Sequence, residues 1–195
     1  EGDYGPVGMS FAPDGRLMVC ANRWHRIIAI APDSSVTKYP DRFGGKLLNS
    51  PNDIWCDARG GAYFTDPRFV PLDEPVEQEG YHVYYLTPDG SEIIRATDTM
   101  TMPNGVAGAP GGGAVYVADT HEKKTYAFDV LPGGGLGPRR LFAPEGEDGL
   151  AVDTAGNVYI LTLAGISVYS AEGVRIDGVD IKGMPTNAAF GGTDM

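Results

Sequence analysis

Pro51-Asn52-Asp53-Ile54-Trp55-Cys56-Asp57-Ala58-Arg59-Gly60-Gly61-Ala62-Tyr63-Phe64-Thr65-Asp66 is the stretch that decides the fold. A polar phrase opens it, a short apolar run follows, a Gly-Gly turn reverses the chain, and a second β-prone run returns. Glycine in such a turn supplies the positive φ that a tight hairpin requires. The phrase recurs on both sides. Upstream it reads Pro6-Val7-Gly8-Met9-Ser10-Phe11-Ala12-Pro13-Asp14-Gly15; downstream it returns as Pro103-Asn104-Gly105-Val106-Ala107 and Glu147-Asp148-Gly149-Leu150-Ala151-Val152-Asp153. A fifth copy opens at Pro185-Thr186-Asn187-Ala188-Ala189-Phe190-Gly191. At one phase, Val7, Asn52, Asn104, Asp148 and Thr186 are equivalent, with steps of 45, 52, 44 and 38 residues. A period of about 40–50 residues with strand-like content points to a β-propeller or a related array.

Each repeat continues in the same way. The second strands are expected at Leu17–Cys20, Ala62–Thr65, Val115–Ala118 and Val158–Leu161, and the third at Arg26–Ile30, His82–Leu86, Thr125–Phe128 and Ile166–Tyr169. A more polar fourth strand closes each unit, at Val36–Tyr39, Glu92–Arg95, Arg139–Phe142 and Val174–Ile176. Four antiparallel strands joined by short turns make a propeller blade. No segment carries a 3.6-residue apolar period, so little helix is expected. The chain reads as one all-β domain over 1–195, a partial propeller of four blades plus the start of another. Its repeats span 6–50, 51–102, 103–146 and 147–184, and a fifth opens over 185–195.

Composition narrows the function. The 195 residues carry 15 basic and 26 acidic side chains, a net charge of −11. That balance argues against nucleic acid and anionic membrane surfaces, which favour basic patches. No apolar run approaches the ~20 residues of a membrane helix, and no signal peptide is visible. Cytoplasmic localisation is expected; periplasmic or secreted placement stays open because Glu1 is not an initiator Met. Two cysteines, Cys20 and Cys56, do not make a disulfide framework and read as small buried hydrophobes.

The loop entering the first strand of a blade opens at one mouth of the central channel, so Val7, Asn52, Asn104, Asp148 and Thr186 should ring that mouth. Asn and Asp often sit at strand starts only because their side chains bond nearby backbone. Three of them at one phase, aimed at one axis, point instead to an oxygen-only ligand ring. Amide carbonyls plus a carboxylate suit a hard cation such as Ca²⁺ or Mg²⁺.

Leu48-Asn49-Ser50-Pro51-Asn52-Asp53, Tyr63-Phe64-Thr65-Asp66-Pro67, Met102-Pro103-Asn104-Gly105, Val115-Tyr116-Val117-Ala118-Asp119-Thr120, Glu147-Asp148-Gly149-Leu150 and Pro185-Thr186-Asn187-Ala188-Ala189-Phe190-Gly191-Gly192 follow one another in an order that resembles the gluconolactonase, SMP-30 and luciferin-regenerating-enzyme-like family. The resemblance covers almost the whole chain. It implies a six-bladed propeller, one divalent cation in the channel mouth, and hydrolysis of sugar lactones or related esters. Carried over residue by residue, Asn104 is a metal ligand, Asp148 is a metal ligand and the base or nucleophile, and Asn52 is a further ligand or a substrate contact. Ca²⁺ is the expected ion, with Mg²⁺, Mn²⁺ or Zn²⁺ as alternatives, and cation-bound Asp148 should stay ionised at neutral pH. The family's remaining ligand is a glutamate in an earlier blade, and Glu1 stands at the wrong phase to supply it. The chain is therefore expected to hold the second to fifth blades and part of the sixth, which counts against activity of this polypeptide alone. A free-standing four-bladed disc is the competing architecture. Ser50 stands where some animal members place a substrate-touching arginine, which favours the microbial lactonase branch.

Two other readings of the same face stay open. One is a non-catalytic propeller that binds a protein or sugar; the other is a metal-free propeller resembling the strictosidine synthase group. His25, His82 and His121 fall at different phases and read as packed or surface residues, so a His-rich zinc site is not supported. The segment from Pro67 to Gly80 interrupts its repeat between the second and third strands and carries Asp73, Glu74, Glu77 and Glu79. It reads as a loose surface excursion or as a flap over the mouth, with Arg68 or Phe69 facing substrate.

Overall fold

Alternating side chains and glycine turns produce four separate four-stranded sheets, each antiparallel with its strands in chain order. The computed structural model describes residues 5–69 and 75–191. The first blade is β1 (Pro6–Phe11), β2 (Leu17–Ala21), β3 (Arg26–Ile30) and β4 (Val36–Lys38). A small hairpin, β5 (Arg42–Phe43) and β6 (Lys46–Leu47), leads to the second blade: β7 (Ile54–Cys56), β8 (Ala62–Asp66), β9 (His82–Leu86) and β10 (Ile93–Thr97). The third is β11 (Pro103–Gly108), β12 (Ala114–Asp119), β13 (Lys124–Asp129) and β14 (Arg140–Ala143). The fourth is β15 (Leu150–Val152), β16 (Val158–Thr162), β17 (Gly165–Tyr169) and β18 (Arg175–Asp180). Among the described residues, helix is limited to two 3₁₀ turns, Asn22–Trp24 and Pro132–Gly134. No ladder among them joins the first blade to the last.

The period of two sends alternate residues of each middle strand into different blade interfaces. In β8, Ala62 and Phe64 pack with Met18, Cys20 and Ile27 of the first blade. Tyr63 points the other way, onto Val106, Val115 and Val117 of the third blade. β12 repeats the division, with Val115 and Val117 facing back and Tyr116 and Ala118 facing forward onto Leu150, Val158 and Ile160. Each internal blade is thus apolar on both faces, as stacked repeats require. The faces outside the stack are more open: Val7, Met9 and Phe11 of β1 and Ile176 and Val179 of β18 are exposed.

The long segment after β8 departs from the expectation of a loose excursion. Over its described second half it is tied down. Gln78 is buried and donates from Nε2 to the carbonyls of Lys46 and Leu47, at 2.9 and 3.1 Å. Glu77 accepts from the Leu47 N–H at 2.7 Å, and Glu79 pairs with Lys46 at 2.8 Å. The β5–β6 hairpin that receives these bonds turns on Gly44-Gly45, both at positive φ, a two-residue hairpin signal that lies outside the four-strand repeat. Asp73 and Glu74 lie outside the described residues. Both thiols are free; Cys20 is fully buried, whereas Cys56 is half-buried rather than buried. His25 and His82 are packed inside and His121 is on the surface, as expected.

Candidate functional site at the channel mouth

Buried carboxylates at the ends of two middle strands fix the loops that carry the phase-matched residues. Asp66, the last residue of β8, accepts from the N–H groups of Asn49 and Ser50, both at 2.8 Å. Asp119, the last residue of β12, accepts from Thr101 and Met102 at 2.7 and 3.1 Å. Each clamp holds the chain just before Asn52 or Asn104. Burial pushes Asp66 up to about 7, against the pull of its two N–H donors.

Neighbouring blades then meet at the axis through backbone bonds. The Gly8 N–H donates to the Asn52 carbonyl at 2.7 Å, Gly105 to Asp148 at 3.2 Å, and Gly149 to Thr186 at 3.0 Å. Only glycine permits this approach. A Cβ at Gly8 would stand 2.5 Å from the Asp53 Cα, and one at Gly105 would stand 2.4 Å from the Asp148 carbonyl oxygen.

The result is a cavity of about 570 Å³ whose lining includes all five phase-matched residues, Val7, Asn52, Asn104, Asp148 and Thr186. Phe69 also lines it, as do Thr120, Lys123 and Glu147, which sequence reasoning did not single out. Arg68 is not among the lining residues; it is half-buried, and its charge acts on Asp66.

Asn104 is 7 % exposed, and its amide orientation is set by its neighbours. Nδ2 donates to Thr120 Oγ1 at 3.1 Å and to the Glu147 carbonyl at 3.2 Å. The hydrogen-bond network thereby identifies Nδ2 and leaves Oδ1 uncommitted. Thr120 Oγ1 donates to the same Glu147 carbonyl at 2.7 Å, which holds the acceptor in place. The Asn52 side-chain amide makes no hydrogen bond to the described residues, although its backbone is bonded on both sides. Burial raises the Asp148 carboxyl above its ordinary value; the Asn104 side chain and the Gly149 N–H oppose the rise. Asp53, in the channel beside Asn52, is raised to about 6 by burial, with a smaller contribution from the Asp148 charge.

The described residues contain no group of three or more His, Cys, Asp or Glu side chains placed to hold a metal ion. The phase-matched side chains that the mouth offers a cation are the amides of Asn52 and Asn104 and the Asp148 carboxylate. That all-oxygen donor set fits a hard divalent ion and not a soft one. Two carboxylates whose charges disfavour each other near the axis also favour a cation there.

Residues 2–195 match a family model described as the SMP-30/gluconolactonase/LRE-like region. A gluconolactonase of Zymomonas mobilis subsp. mobilis is 29 % identical over 188 residues, covering 87 % of this chain and 52 % of that protein. A solved gluconolactonase from Xanthomonas campestris superposes with a TM-score of 0.86 at 32 % identity, over 95 % of this chain and 65 % of that one. A solved putative gluconolactonase superposes with a TM-score of 0.90 at 27 % identity, over 97 % and 68 %. The chain thus spans about half the length of the curated relative it matches.

Proposed function

The chain belongs to the SMP-30/gluconolactonase/LRE-like family, and from that premise we propose that the mouth cavity is the cation and substrate site of a sugar-lactone hydrolase. The observation that carries the reading is the convergence of Asn52, Asn104 and Asp148 on one cavity, with the two bonds of the Asn104 amide made from Nδ2, so that Oδ1 is uncommitted.

Asn52 Oδ1, Asn104 Oδ1 and the Asp148 carboxylate would hold the ion, with Ca²⁺ as the expected occupant and Mg²⁺, Mn²⁺ or Zn²⁺ as alternatives. When bound there, the ion would supply Lewis-acid polarisation of the lactone carbonyl. Asp148 takes the proton of the attacking water as the new C–O bond forms. The ring C–O bond then breaks, and the proton passes to the departing ring oxygen, which becomes the hydroxyl of the product acid. Asn52, with an uncommitted amide, is placed either to complete the ligand set or to bond the substrate's hydroxyls. Phe69 forms an apolar wall of the cavity. Arg68 is set back from the lining.

The test is proton release from glucono-δ-lactone by the purified protein, with and without chelator. Chelator-sensitive turnover supports the proposal. Sugar binding without turnover would favour the non-catalytic propeller, and chelator-insensitive turnover the metal-free one.

A further inference from the structure

The four blades carry two kinds of junction at the axis, and the exception lies between the two candidate amide ligands. Register aligns Ile54 with Phe64, Val106 with Val117, Leu150 with Ile160 and Met9 with Val19. Position 53 is therefore equivalent to Gly8, Gly105 and Gly149, and position 65 to Cys20, Ala118 and Leu161. Three blades combine a glycine with an apolar residue, whereas the second combines Asp53 with Thr65. Where glycine stands, the next blade's inner strand bonds directly, N–H to carbonyl. Asp53 has a Cβ and cannot approach that closely. Its N–H instead donates to Thr65 Oγ1 at 3.1 Å, and the Thr65 hydroxyl donates to the Asn104 carbonyl at 2.7 Å. The Asp53 carboxylate occupies the opened space, accepting from the Val106 N–H at 2.9 Å and the Asn187 amide at 3.3 Å. Thr65 is fully buried and shares a strand face with Tyr63, the face turned to the third blade.

We propose that Thr65 is a positioning residue, whose hydroxyl sets the spacing between Asn52 and Asn104 by bridging the N–H of Asp53, next in chain to Asn52, to the Asn104 carbonyl. The proposal rests on the cation-site reading above. Asn52 precedes Asp53, the donor to the hydroxyl, and Asn104 supplies the acceptor, so one side chain fixes both amide ligands in a common frame. Groups behind a ligand that orient it typically change metal affinity by about 10- to 100-fold when removed.

Thr65→Val keeps the shape and removes both bonds, and Thr65→Ser keeps the hydroxyl. Ser10→Ala is the matched control, because the Ser10 hydroxyl also joins two blades, accepting from the Cys56 N–H at 3.2 Å, but further along the channel. Two readouts are needed: the Kd for CaCl₂ by titration calorimetry, and the NMR positions of the Asn52 and Asn104 side-chain amides without calcium. Thr65→Val should weaken the calcium Kd by about 10-fold or more and shift both amide signals, while Thr65→Ser and Ser10→Ala leave both near the wild-type values. Unmoved amide signals in a folded Thr65→Val protein would overturn the proposal, as would an unchanged Kd. If the wild type binds no calcium, the cation-site reading fails, and the amide signals alone decide whether Thr65 sets the spacing.

Discussion

The two ends of the channel are built from one repeat and use the same residue types, but the phase-matched residues of the mouth are used in the opposite way to the carboxylates of the turns. At the turn end, carboxylates are spent on their own loops. Asp57 accepts from the N–H groups of Arg59 and Gly61 at 2.8 and 3.1 Å and from the Tyr85 hydroxyl at 2.9 Å. Asp153 does the same for Ala155 and Asn157 at 2.9 and 2.8 Å, and Asp14 for Arg16 at 3.1 Å. That end is walled by Phe11, Trp55, Pro110 and glycine turns. At the mouth, Asn52 makes no side-chain bond to its own loop, Asn104 commits only its NH₂, and Asp148 faces the cavity. The familiar account of Asn and Asp as loop-holders therefore holds at the turn end and for Asp66 and Asp119 at the mouth, and fails at the phase-matched Asn52 and Asn104. Binding chemistry is to be sought where a polar side chain recurs without a local backbone partner.

This contrast can be broken most forcefully at Asp148. Replacing Asp148 with Asn keeps the shape and removes the base and a negative charge, so lactone hydrolysis by the active protein should fall about 10³-fold, read as proton release. Wild-type turnover in that variant would remove the mouth from the chemistry. Next comes Asn104→Ala, which should weaken the cation by about 10-fold or more. Excess Ca²⁺ should restore turnover if Asn104 serves the metal, and an activity loss that calcium cannot repair would assign it another role.

The turn end should answer differently. Burial pulls the Asp57 carboxyl upward, but the Arg59 side chain, the Tyr85 hydroxyl and the Arg59 N–H together hold it below its ordinary value. A carboxyl with a depressed folded-state value stabilises the fold above its unfolded value and loses that contribution as pH falls through the folded one. Asp57→Asn should therefore cost about 1–2 kcal/mol at neutral pH, and the gap to wild type should close below about pH 4. Chemical denaturation at several pH values measures it, and calcium affinity should be unchanged. The smallest effect is expected at Asn52. If it bonds substrate rather than metal, Asn52→Ala should raise KM by about 5-fold while kcat stays within about 2-fold; a kcat loss rescued by calcium would make it a ligand.

The sequence makes legible whatever repeats. Recurring phrases and glycine turns place sixteen blade strands, and β3 and β9 begin and end where the pattern puts them. The phase of Asn52, Asn104 and Asp148 brings them to one cavity for the same reason, since equivalent positions in a propeller share a radius and a height. What the sequence hides is what occurs once. Thr65 lies 12 residues beyond Asp53 and meets it only through the β7–β8 register. Gln78 binds a hairpin more than 30 residues upstream. The clamping roles of Asp66 and Asp119 need three-dimensional neighbours, although both end a middle strand in a repeated phrase, a signal that alignment of the blades could have exposed.

The account turns on a cation held at the mouth. Titration calorimetry with CaCl₂, followed by chelator, tests it directly on wild type, Asp148→Asn and Asp57→Asn. One reversible calcium site, lost in Asp148→Asn and kept in Asp57→Asn, is the expected result. Binding that survives Asp148→Asn unchanged, or no binding by the wild type, would contradict it.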